Sequence, residues 1–144
     1  MQNTIITTFI ALLLFGCGKP DSPQHIIIAN IAALEEGIEQ KDPDQVLERI
    51  HENFSARSGT DKLWVKRTMA FYMLRHPNIE IVTSGMNIEL EPEQEPVIAR
   101  AHFSALVTGG KGLIPEQGAI YQIETEWRLQ NDEWQLIYAD WRRP

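Results

Sequence analysis

A single cysteine, Cys17, stands in 144 residues, so no intrachain disulfide can form and the fold must rest on its apolar core. Basic residues are also few. Lys and Arg number 13 against 20 Asp and Glu, a formal net charge of −7. That balance excludes a general nucleic-acid binder, which needs a basic surface to displace counterions. It equally disfavours electrostatic adhesion to anionic lipid headgroups. No apolar run reaches the roughly 20 residues of a membrane-spanning helix. HxH, HExxH and CxxC spacings are absent, so no metal site is expected, and nothing in the sequence asks for a cofactor. What remains is 43% hydrophobic and 23% charged, the composition of one folded domain.

The sequence divides into unequal parts. Residues 1–16 carry no charged side chain, and Ile5 to Gly16 is apolar apart from Thr7 and Thr8. This is the length of the apolar centre of a secretory signal, about 7–15 residues. Polar residues follow directly after Gly16-Cys17-Gly18. Leu14-Phe15-Gly16-Cys17 resembles the lipobox of bacterial lipoproteins, which implies cleavage before Cys17 and diacylation of its thiol. A thiolate is the apt nucleophile for that alkylation, and two acyl chains anchor a protein where one barely does. Gly18 after the cysteine resembles the enterobacterial pattern for outer-membrane delivery, on the periplasmic face. An ordinary signal peptide or N-terminal anchor is the alternative. The expected organisation is a signal peptide over 1–16, a lipidated Cys17 with a tether over 17–24, and one domain over 25–144.

Within the domain, Ser22-Pro23 caps a helix whose apolar face is Ile27, Ile31, Leu34 and Ile38. Asp42-Pro43-Asp44-Gln45 opens a second helix with the stripe Val46, Leu47, Ile50 and Phe54, running out near Gly59. Thr60-Asp61 opens a third, apolar over a wide arc and ending before His76-Pro77. Beyond Pro77 the period changes from 3.6 to 2. Short strands are expected on either side of a bend at Ser84-Gly85, then a long strand with Val97, Ala99, Ala101, Phe103, Ala105 and Val107 on one face. Gly109 to Gly112 reads as a loop. Tyr121, Ile123, Thr125, Trp127 and Leu129 share the inner face of the next strand, and Gln130 to Glu133 turns the chain into a last strand. Helices first and strands afterwards are an α+β pattern with an antiparallel sheet.

This order resembles the nuclear transport factor 2-like superfamily, also called SnoaL-like. Its carriers are the helix junction Glu39 to Ile50, the pair Phe54 and Gly59, and the hairpin Glu126 to Ile137 ending near Trp141. The resemblance implies three N-terminal helices packed on a curved antiparallel sheet, a cone with a pocket at its open end. It implies binding modules or small isomerases, dehydratases and cyclases that use Asp or His with a nearby Tyr.

Asp140 is the candidate general base, since it continues the Trp134, Leu136, Tyr138 face and would meet Tyr138 and Tyr121 at the cone mouth. A strand-end ion pair of Asp140 with Arg142 or Arg143 is the plainer account of the same residue. Candidate ligand-binding residues are Trp64, Tyr72 and His51, although a satisfied structural histidine also accounts for His51. The favoured reading is a non-catalytic envelope lipoprotein that binds a small apolar ligand or a periplasmic protein. The alternative is an enzyme of the same fold with Asp140 as base. Ile98, Leu106, Ile120 and Ile137 on the outer sheet face would suit a weak homodimer.

Overall fold

A computed structural model describes residues 21–75, 78–109 and 118–144. The leader, Cys17, His76-Pro77 and most of the expected glycine loop lie outside the described residues. The elements run α1 (Pro23–Glu39), α2 (Pro43–Leu47), β1 (Ile50–Ala56), α3 (Lys62–Arg75), β2 (Glu80–Glu91), β3 (Ile98–Thr108), β4 (Ala119–Gln130) and β5 (Glu133–Arg142). The strands form one sheet in the order β1-β5-β4-β3-β2. This is an α+β fold with helices on a curved sheet, and the sheet is mixed: β1 runs parallel to β5, while the other pairs are antiparallel. Among the described residues no helix is long and apolar enough to cross a membrane.

Local chemistry sets the helix starts. The Ser22 hydroxyl accepts from the His25 N–H, with Pro23 in the first turn of α1. Asp42 does the same for the Gln45 N–H at α2. Gly37 lets the two helices close on each other, because a Cβ there would sit 2.8 Å from Val46 Cγ2.

The second helix is shorter than its stripe predicts. It ends at Leu47, and Ile50 to Ala56 is a strand. Val46, Ile50 and Phe54 recur every four residues, which reads as helical. Asn53 and Ser55 are indifferent helix formers, however, and β5 would otherwise present a bare edge. β1 covers it, with the Leu136 N–H donating to Arg49 O and the Arg57 N–H to Ala139 O. Phe54 and Ala56 are buried through this strand instead of a helix.

β2 is a single strand, and its expected irregularity falls inside it. The register against β3 shifts between Ser84 and Asn87, where Gly85 has φ +65°. Such a bulge sharpens twist and helps the sheet curve. Asn131 and Asp132 both adopt left-handed φ in the β4–β5 turn, the geometry of a tight hairpin. Ala99, Ala101 and Ala105 on β3 are buried beside Phe103. Their small side chains let α1 lie close over the concave face, where Ile27 and Ile31 join Trp127, Trp134 and Leu136 in one core. The β2–β3 pair also closes tightly at its far end. Gly109 has φ +77°, and a Cβ on it would fall 1.6 Å from the Asn78 carbonyl oxygen. Gly109→Ala should therefore cost about 2–3 kcal/mol, read as a lowered urea midpoint.

Helix α1 holds the edge strand through two carboxylates. Glu39 Oε1 accepts from the Ile81 N–H at 2.7 Å, which occupies an edge donor of β2. Burial pushes the neighbouring Glu35 carboxyl above its usual value of 4.5, Glu39 adds repulsion, and a bond to Thr83 opposes both. Glu35 Oε1 has no hydrogen-bond partner among the described residues. A carboxyl raised by folding favours the native state when protonated, so its contribution is present at low pH and lost as pH rises through the folded pKa. Glu35→Gln should raise the Tm at pH 7.5 by a few degrees and leave it nearly unchanged at pH 4. Equal Tm shifts at both pH values would contradict this account.

Candidate functional site

Helix α3 is anchored at its start and stands off the sheet beyond it. The Asp61 carboxylate accepts from the Trp64 N–H at 2.8 Å, and Lys62 pairs with Glu52 on β1, holding that carboxyl below its usual range. No residue of α3 is fully buried, although its apolar side chains include Leu63, Trp64, Phe71 and Leu74. Val65 and Met69 pack against the core, and among the described residues the face with Trp64 and Phe71 borders open space.

That space is a cavity of about 850 Å³ between α3 and the concave sheet. α3 contributes Trp64, Arg67, Thr68, Phe71 and Tyr72, residues that recur at helical spacing. The sheet contributes Ile81, Ala105, Val107, Tyr121, Ile123 and Trp141, and α1 adds Ile38. The volume lies within the roughly 300–1,000 Å³ of small-molecule sites. Among the described residues the lining contains no carboxylate and no histidine, and Arg67 is its one charged side chain. Two further guanidinium groups lie over lining rings. Arg75 stands 4.1 Å from the Phe71 centroid and Arg143 stands 5.6 Å from that of Tyr121. Arg143 Nη2 also donates to the Tyr121 hydroxyl at 3.4 Å.

Of the residues expected from sequence, Trp64, Tyr72 and Tyr121 therefore meet around this cavity. Asp140 and Tyr138 do not. The expectation that they continue the Trp134–Leu136 face fails at a bulge. Trp127 pairs with Leu136 and Glu126 with Tyr138, so Ile137 is an extra residue in β5. Side chains alternate along a strand, so one inserted residue moves every later one to the opposite face. Ala139 and Trp141 take the inner face, while Tyr138 and Asp140 join Glu126 and Glu124 on the outer one. The sheet itself stands between Asp140 and Tyr121.

On that outer face His102, Glu124 and Asp140 align across three strands around a recess of about 80 Å³. Asp140 Oδ2 lies 3.6 Å from Arg57 Nη1, so its ion partner is Arg57 and not the expected Arg142 or Arg143. Its Oδ1 has no hydrogen-bond partner among the described residues. One row away, Arg100 binds Glu91 and, at 3.2 Å, Glu126, and these carboxylates raise its pKa. Among the described residues no three His, Cys, Asp or Glu side chains are grouped to hold a metal ion.

His51 lies on β1, away from the cavity lining. Its Nδ1 accepts from the Asn53 N–H at 3.0 Å, which leaves the proton on Nε2 to donate to Gln130 Oε1 at 2.6 Å. Both ring nitrogens are satisfied in a residue only 8% exposed.

Sequence reasoning missed Arg67, Thr68 and Phe71 as cavity residues. Their signal is the shared face they form with Trp64 and Tyr72, a polar pair set within an aromatic stripe. It also missed Trp141 as a wall, because the bulge at Ile137 decides its side.

No protein-family profile matches this chain, and no curated protein sequence does. Solved structures do match it. An NTF2-like protein from Cytophaga hutchinsonii superposes with a TM-score of 0.71 at 13% identity, over 86% of this chain and 100% of that one. A protein of unknown function with a cystatin-like fold from Nostoc punctiforme gives 0.66 at 13% identity, over 84% and 90%. The hexachlorocyclohexane dehydrochlorinase LinA-type3 from Novosphingobium barchaimii gives 0.67 at 8% identity, over 83% and 85%. At these identities the likeness is one of architecture, and it gives this chain the NTF2-like, cystatin-like fold.

Proposed function

We propose that this protein is a lipid-anchored binding module of the bacterial cell envelope whose cone cavity takes a small apolar ligand. The observation that carries the reading is the lining: aromatic and aliphatic side chains around about 850 Å³, with no carboxylate or histidine among the described residues there. General acid–base work near neutral pH is done most readily by a carboxylate or histidine within hydrogen-bond reach of the substrate, and this lining offers the phenols of Tyr72 and Tyr121 instead. The carboxylate best suited by sequence, Asp140, projects from the other face of the sheet. A recess of about 80 Å³ beside it has room for a few waters rather than a substrate.

The test uses a neutral apolar fluorophore, N-phenyl-1-naphthylamine, titrated into the purified protein. Saturable one-to-one binding with quenching of Trp64 and Trp141 emission is the expected result. Strictly linear, non-saturating fluorescence would refute a ligand cavity.

The anchor in this proposal is diacylation of Cys17, supported by the apolar leader and the Leu14 to Cys17 motif. It would hold the domain on the periplasmic face of the outer membrane. Cells fed a fatty-acid analogue should label the wild type and spare Cys17→Ala; an unlabelled wild type sinks the anchor and leaves the cavity reading intact.

A second contact surface has its own observation. Val82, Leu106 and Ile120 pair across three strands on the outer face and are 61%, 41% and 53% exposed. We propose that this row supports a weak homodimer, measurable as a concentration-dependent mass in light scattering and abolished by Leu106→Glu.

A further inference from the structure

The charges around the cavity have a pattern that a neutral ligand does not need. The chain is acidic, at −7, yet among the described residues no Asp or Glu lines the cavity. Arg67 does, on the face of α3 that bears Trp64 and Phe71, and its guanidinium has no ion pair among the described residues. Arg75 and Arg143 lie over Phe71 and Tyr121, two of the rings that form the wall. Arg67 itself is exposed, so it stands at the rim and not in the depth of the cavity. A cation on the lining, with two more guanidinium groups over wall rings, favours an anion there, and an apolar interior admits only the uncharged part of it.

We infer that the ligand is an amphiphilic anion: an apolar body seated between α3 and the sheet, with one carboxylate at the rim on Arg67. This rests on the cavity reading above and adds the charge of the ligand. Arg67 is the direct partner because its planar fork can take both carboxylate oxygens. Arg75 and Arg143 are already stacked on rings and supply field instead of contact.

The experiment compares three ten-carbon probes below their micelle-forming concentrations: decanoate, decan-1-ol and decyltrimethylammonium. Each displaces N-phenyl-1-naphthylamine from the wild type, Arg67→Glu and Arg67→Lys. Decanoate should bind the wild type about twofold to fivefold more tightly than decanol, the size of one ion pair at a solvent-facing rim, and the ammonium probe should bind most weakly. Arg67→Glu should remove the decanoate preference and leave decanol within about twofold. Arg67→Lys should keep most of the preference, and added salt should shrink it. Equal binding of all three probes, or a decanoate preference that survives Arg67→Glu, overturns the inference while the cavity reading stands. Failure of every probe to displace the fluorophore removes the cavity reading and this inference with it.

Discussion

Trp127→Ala is expected to cost about 3–5 kcal/mol, the range for removing a large aromatic side chain from a packed core. Trp127 is 0% exposed and is the largest fully buried side chain among the described residues. It lies on β4 in the cluster that joins α1, α2, β1, β3 and β5. Its Nε1 donates to Thr125 Oγ1 at 3.0 Å, and that hydroxyl is itself buried against the Ala101 carbonyl. Truncation opens a void beneath α1 and strips Thr125 of a donor, two costs with the same sign. A domain of this size has about 5–15 kcal/mol of total stability. The loss thus consumes about a fifth or more of it. Urea denaturation followed by circular dichroism should show a much lower midpoint with an unchanged slope. Trp127→Phe should recover most of the packing and leave only the hydroxyl short of a partner. A loss below about 1 kcal/mol for the alanine variant would show that the sheet does not close over this residue.

The centre of the fold was legible because it obeys local rules. The change of period beyond Pro77 separates helices from strands, and the alternation from Val97 to Val107 picks the buried face of β3. Capping residues at Ser22 and Asp42 mark two helix starts. Two features escaped for physical reasons. The first is β1: its hydrogen bonds go to β5, more than 80 residues later in the chain, and no local pattern records a partner that distant. The second is the side on which Asp140 falls. A bulge of one residue at Ile137 reverses the outcome, and Ile137 is an ordinary strand residue with no sequence mark for the insertion. The cavity is a related case. A helix face that borders a void has the same apolar spacing as one that packs, so Trp64, Thr68 and Phe71 read as core until their missing neighbours are seen.

Filling that void from the sheet side is the sharpest intervention. Ala105→Phe should abolish binding of apolar probes, weakening N-phenyl-1-naphthylamine by more than about fiftyfold, while the protein stays folded. Ala105 sits on the inner face of β3 between Thr83 and Tyr121, is 1% exposed, and borders the cavity. A benzyl group in place of its methyl projects into the space that a ligand would use. Two effects compete on stability. Burying a phenylalanine side chain is worth about 1.5–3 kcal/mol. Forcing one into a filled core costs about 1–3 kcal/mol. Beside about 850 Å³ of open volume the first should prevail, so the Tm should hold or rise. The pairing of readouts gives the experiment its force. Arg67→Glu acts on the anionic probe alone, whereas Ala105→Phe should act on decanoate and decanol alike, because it removes the room both need. Unaltered probe binding in a folded Ala105→Phe protein would mean that ligands sit elsewhere. A sharp fall in Tm would mean that α3 lies closer to the sheet than the cavity requires.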